Sequence, residues 1–118
     1  MDLTLLQNAG VDTESVVKRF LGNEQLLVKM MKMFLSDPNY SLLCEAADKG
    51  DDKAVFSAAH TLKGLCGNFS MTELYNLFSE QVILMRADEW GKAYEMMPEI
   101  KDKFGKMTAA VEAWLKTV

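Results

Sequence analysis

Lys53-Ala54-Val55-Phe56-Ser57-Ala58-Ala59-His60-Thr61-Leu62-Lys63-Gly64-Leu65-Cys66-Gly67-Asn68 reads as one helix with two different faces. On the first, Val55, Ala58, Ala59, Leu62, Leu65, Cys66 and, just beyond, Phe69 recur at three- and four-residue steps, the spacing of a stripe that packs inward. On the second, steps of three, four and seven from His60 reach Lys63, Gly64 and Gly67. An imidazole, an ammonium and two glycines make an odd solvated surface, because glycine costs about 1 kcal/mol against alanine inside a helix. Two readings account for the glycines. Their missing side chains let another protein's surface approach the imidazole, or they mark close packing between helices.

The same periodicity extends to both sides. Upstream, a short helix is expected from about Asp12 to Phe20, with Asp12 or Thr13 as N-cap and Val16, Val17 and Phe20 inward, ended by Gly22. Asn23 caps a second helix whose stripe is Leu26, Leu27, Met30, Met31, Phe34 and Leu35. Asp37-Pro38-Asn39 should kink or restart it before Leu42, Leu43, Ala46 and Ala47, because proline lacks an amide donor and disfavours helix at the preceding residue. Gly50-Asp51-Asp52 closes that segment and caps the His60 helix. Downstream, a fourth helix starts near Met71-Thr72-Glu73, with Thr72 a possible cap, and carries Leu74, Leu77, Phe78, Gln81, Val82, Leu84 and Met85. A turn around Asp88 to Gly91 leads to a last helix from near Glu99 or a little earlier to Lys116, with Pro98 in its first turn and a local break possible at Gly105. Strand patterns are absent. The expected fold is all-α: an up-down antiparallel four-helix bundle with an additional short N-terminal helix, in a single domain over residues 1–118.

Length and composition set outer bounds. A chain of 118 residues, nearly half apolar and a quarter charged, suits one core without disulfides. Its most apolar stretch, Leu26 to Leu35, is interrupted by Lys29 and Lys32, so no membrane span is expected. The start lacks the basic region and cleavage site of a secretory signal, which points to the cytoplasm. A net charge of −4 disfavours nucleic acid as partner and favours protein. Cys44 and Cys66 lie far apart with one histidine in the chain, so they read as buried free thiols and no metal site is expected.

Chemistry concentrates at His60. A histidine offers a neutral ring nitrogen as nucleophile near pH 7, and Lys63 one turn later can offset negative charge on a phosphoryl group attached there. Ala59-His60-Thr61-Leu62-Lys63-Gly64 resembles the AHxLKG signature of histidine-containing phosphotransfer (HPt) domains. Arg19-Phe20-Leu21-Gly22-Asn23-Glu24 with Leu26-Leu27, the Gly50-Asp51-Asp52 turn, Gly67, Asn68 and Leu74 are similar to the same family, so the resemblance runs over roughly residues 12 to 85. It departs where Phe69-Ser70-Met71 replaces the common Leu-Gly-Ala and Gln81-Val82 replaces a frequent Leu-Glu pair.

The resemblance implies that His60 accepts a phosphoryl group, usually on the outer ring nitrogen, from a receiver-domain phospho-aspartate and yields it to another receiver. The partners it implies are receiver domains of a hybrid sensor kinase or a response regulator. Lys63 would stabilise the phosphoryl charge, and Gly64, Gly67, Phe56, Thr61 and Asn68 would lie in the docking surface. Phe56 reads equally well as partly buried against a neighbouring helix. No cofactor is implied for this chain, magnesium belonging to the receiver, and neither is ATP-dependent self-phosphorylation. A monomer is expected, with pairing through Trp90 or Trp114 left open. The competing reading is a non-catalytic helical adaptor whose methionine-rich grooves bind a partner while His60 is incidental.

Overall fold

Side-chain caps start three of the helices. In the computed structural model, which describes residues 1–118, Asp12 accepts a hydrogen bond from the Ser15 amide, Asn23 from Leu26 and Asp51 from Ala54. These begin α2 (Thr13–Arg19), α3 (Glu24–Ser36) and α5 (Asp52–Asn68), after α1 (Thr4–Asn8) and with α4 (Asn39–Lys49) between α3 and α5. Then follow α6 (Thr72–Arg86), α7 (Trp90–Glu95) and α8 (Met97–Leu115). Asp37 is extended, as a residue before proline should be, and its carboxylate accepts from the amide and side chain of Asn39, restarting the chain as α4. Gly50, at φ 68°, turns the chain out of α4 in the left-handed conformation.

The helices form an all-α bundle of four rods. The first is α3 followed by α4: Phe34 near the end of α3 meets Phe69 beyond the far end of α5, while α4 ends beside the start of α5. The other rods are α5, α6 and α8. Antiparallel pairing of α5 with α6 brings Gly67 to Tyr75 at one end and Phe56 to Arg86 at the other. Pairing of α6 with α8 is antiparallel too, with Gln81 at Met97 and Glu73 at Lys103. α8 packs on α3, α6 and α1, diagonally across the bundle from α5. One cluster of 28 buried residues runs through the interior, with Leu62, Phe78, Ile100 and Val111 fully enclosed. Burying each such side chain contributes about 1.5–3 kcal/mol. No helix is long and apolar enough to cross a membrane.

Several local expectations need correction. Two short helices, α1 and α7, were not foreseen. α1 seats Leu6 in the core, and Trp114 donates to the Asp2 carbonyl at 3.0 Å. α7 forms where a plain turn was expected, because the Gln81 side chain donates to the Ala93 carbonyl at 3.1 Å and Ala93 is fully buried. Thr72 does not cap α6: Met71 holds that position, buried and without a side-chain bond. Gly105 does not break α8, its unfavourable propensity being outweighed by the continuous packed stripe on either side. Leu26 and Leu42 are exposed rather than inward, Leu26 lying in the first turn of α3, away from its Leu27–Met31–Phe34 stripe. Cys66 is buried but Cys44 only half-buried, and both are free. Trp114 is buried against α1 and so presents no face for pairing.

The turn between α5 and α6 is tied to the N-terminus. Val11 and Met71 form an isolated bridge, and the Asp12 amide donates to the Ser70 carbonyl at 2.8 Å. Ser70 sits at φ 53°, the left-handed region that favours glycine. Its hydroxyl is hydrogen-bonded to that of Ser15 at 2.8 Å, which offsets part of the strain.

Candidate functional site

His60 lies near the middle of α5, on the side opposite Val55, Ala59, Leu62 and Cys66. Its ring is exposed and makes no hydrogen bond or ion pair within the chain, so either ring nitrogen is free to meet a reactant. The Phe56 ring lies one turn before it, centroid to centroid 6.0 Å, and is half-buried. Arg86 from α6 places its guanidinium 5.7 Å from the centre of the Phe56 ring, so Phe56 links the imidazole to a cation on the adjacent helix. Phe56 is therefore packed against α6, as one of the two readings of the sequence has it, and also lies beside the histidine.

Lys63, one turn after His60, is half-buried, and its ammonium stands 6.0 Å from the Tyr75 ring centroid with no carboxylate paired to it. Such a cation keeps its charge available. Thr61 is exposed, but its hydroxyl bonds back to the Ser57 carbonyl at 3.0 Å. Asn68 is exposed at the end of the helix. Of the two readings of the glycines, close packing between helices holds at one and not at the other. A Cβ at Gly67 would stand 3.1 Å from Tyr75 Cδ2, so that glycine admits close packing of α6. A Cβ at Gly64 would meet nothing within 4 Å.

The structure thus brings His60, Lys63, Gly64, Gly67, Phe56, Thr61 and Asn68 onto the outward side of α5, with Gly67 also against Tyr75 of α6. It adds Tyr75 and Arg86, neighbours from α6 that the sequence reading did not single out. Tyr75 is an exposed aromatic residue outside the buried α6 stripe, which is the one signal that could have marked it. Near the start of α5 the Tyr94 hydroxyl donates to Asp52 at 2.6 Å; burial and that bond push the tyrosine up to about 12. No group of three or more His, Cys, Asp and Glu side chains converges anywhere in the chain.

No curated protein and no solved structure matches the chain significantly. The Hpt domain model matches residues 25–114, about three quarters of the sequence, from the first turn of α3 to near the end of α8 and including the whole His60 helix. On that match the chain belongs to the Hpt domain family, whose members serve phosphotransfer in two-component signalling.

Proposed function

We propose that this protein is a phosphohistidine carrier in which His60 takes a phosphoryl group from the aspartate of one receiver domain and passes it to the aspartate of another. A ring nitrogen of His60 attacks the phosphorus of the aspartyl phosphate. The N–P bond forms as the P–O bond to the aspartate breaks, and the aspartate leaves as carboxylate. The reverse displacement on a second receiver completes the relay. Lys63 stabilises the phosphoryl oxygens while they reside on His60, and Phe56, Thr61, Gly64, Gly67 and Asn68 belong to the surface on which the receiver docks. Magnesium is carried by the receiver. The protein acts as a monomer in the cytoplasm.

The observation that carries this reading is Gly64. It lies one turn beyond an exposed, unengaged histidine, in a helical conformation and in open space, so the fold itself has no use for a glycine there. A partner that must bring an aspartyl phosphate to within bonding distance of the imidazole does have a use for it.

The test is transfer from a radiolabelled receiver domain to the wild-type chain and to His60→Gln. Label should appear on the wild type alone, be lost in acid and survive in alkali. ATP with magnesium should leave the wild type unlabelled. A His60→Gln protein that still takes label from a receiver would refute the assignment. One that loses label yet still binds the same receiver is consistent with it, since docking precedes transfer.

A further inference from the structure

The face around His60 has an unusual charge distribution for an acidic protein. Of 17 Asp and Glu residues, none occurs from Lys53 to Thr72, the span that builds this face of α5 and its exit turn. The carboxylates bordering it are committed within the chain. Asp12 accepts the Ser15 amide, Asp51 accepts the Ala54 amide and Asp52 accepts the Tyr94 hydroxyl. Glu45 pairs with Lys49 at 2.8 Å and Glu73 with Lys103 at 3.0 Å. Glu80, seven residues after Glu73, lies on the side of α6 turned toward α8.

The cations are arranged in the opposite way. The chain has two arginines, Arg19 and Arg86, and neither is paired with a carboxylate. Arg86 stands over Phe56, one turn before His60. Arg19 lines an open groove of about 470 Å³ with Asp12, Ser15, Gly64, Gly67, Asn68 and Tyr75, on the other side of His60 along α5; the Asp12 carboxylate there is the N-cap of α2. The only side-chain bond of Arg19 is a long one, 3.4 Å to the Ser15 hydroxyl. The unpaired Lys63 lies between them.

We infer that Arg19 and Arg86 are the two anchors of the docking surface, each engaging a carboxylate on a receiver whose reactive face is acidic, so that the partner is held at both ends of α5 with its aspartate over His60. Arginine suits this role because its planar guanidinium grips a carboxylate through two parallel bonds. A surface bearing an aspartyl phosphate is strongly negative, which matches the absence of carboxylates from Lys53 to Thr72, and charges of this kind chiefly govern capture and its salt dependence. This inference rests on the carrier reading above. It extends the contact surface beyond α5, to α2 on one side and α6 on the other.

The experiment measures transfer from a labelled receiver domain at increasing receiver concentration and at two salt concentrations. The chains compared are wild type, Arg19→Ala, Arg86→Ala, the double variant, and Lys101→Ala on the diagonal helix. Direct labelling of each chain by phosphoramidate, which needs no docking, checks that the His60 site is folded and reactive. The double variant should raise KM by about ten-fold with kcat little changed and should flatten the salt dependence, while Lys101→Ala leaves KM where it was. Lysine in place of the alanine at either position should recover capture only in part, since it returns the charge without the planar fork. If the double variant labels with phosphoramidate and shows wild-type KM and salt dependence with the receiver, the anchors are refuted and the carrier reading stands. If neither phosphoramidate nor any receiver labels the wild type at His60, both fall together.

Discussion

Gly64 and Gly67 are three residues apart, yet the structure gives them different surroundings. At Gly67 the Tyr75 ring occupies the space a side chain would need, so glycine there is explained by packing. At Gly64 there is nothing to avoid. Gly64→Ala should therefore stabilise the protein by about 0.5–1 kcal/mol, read as a higher urea midpoint, because alanine is the better helix former. The same change should slow transfer from a receiver at least about ten-fold, since a methyl group one turn from the imidazole holds the reacting atoms apart. A variant that gains stability and transfers at the wild-type rate would mean that the open space beside His60 has no functional purpose. His60, Lys63 and the glycines were legible in sequence because they share one helix, whose period alone brings them together. The guanidinium of Arg86 over Phe56 and the ammonium of Lys63 near Tyr75 were not, because each contact joins two helices and depends on their register.

The α5–α6 turn shows how a residue other than glycine is accommodated in a left-handed conformation. Ser70 adopts a left-handed backbone that costs a residue with a Cβ about 1 kcal/mol, and recovers part of that through its bond to Ser15. Ser70→Gly should remove both effects and leave stability within about 0.5 kcal/mol of wild type, whereas Ser70→Val should lose about 2 kcal/mol, because a β-branched residue is strained there and also lacks the hydroxyl. Chemical denaturation of the two variants decides it: equal losses would show that the backbone strain is not what matters at this position. The Gln81 side chain makes a comparable compromise. Its amide nitrogen ties α7 to α6, but its oxygen is buried without a partner. The long helices were legible because their stripes repeat over three or more turns and their caps are local. α1 and α7 span five and six residues, too short for a period to declare itself, and they exist because tertiary contacts complete them.

Alkaline pH should loosen the whole bundle. Burial, reinforced by the Asp37 charge, pushes the Cys66 thiol from an ordinary 9.0 up to about 12. Burial, with a hydrogen bond to Cys44, raises Tyr40 to about 12, and Tyr94 is raised likewise by burial and Asp52. The folded chain thus holds these protons more tightly than the unfolded chain does. Below pH 9 both states are protonated and stability is unaffected. Between about 9 and 12 the unfolded state has released protons that the folded state retains, so stability falls as pH rises. Cys66 alone contributes up to about 1.4 kcal/mol per pH unit in that window. Urea midpoints at pH 7, 9 and 10.5 should drop between the last two, and Cys66→Val should soften the drop; a flat midpoint would contradict the buried thiol.

Sequence by itself determined the class of the fold, the helix that carries the histidine and which side of that helix faces out. Those properties rest on periodicity, capping and proline, which act within a few residues of chain. Tertiary structure alone decided that Gly67 packs against Tyr75 while Gly64 is open, that two short helices close the ends of the bundle, and that both arginines flank the histidine face. These depend on the register and spacing of helices remote in sequence, which are set when side chains interlock in the core rather than by any local preference.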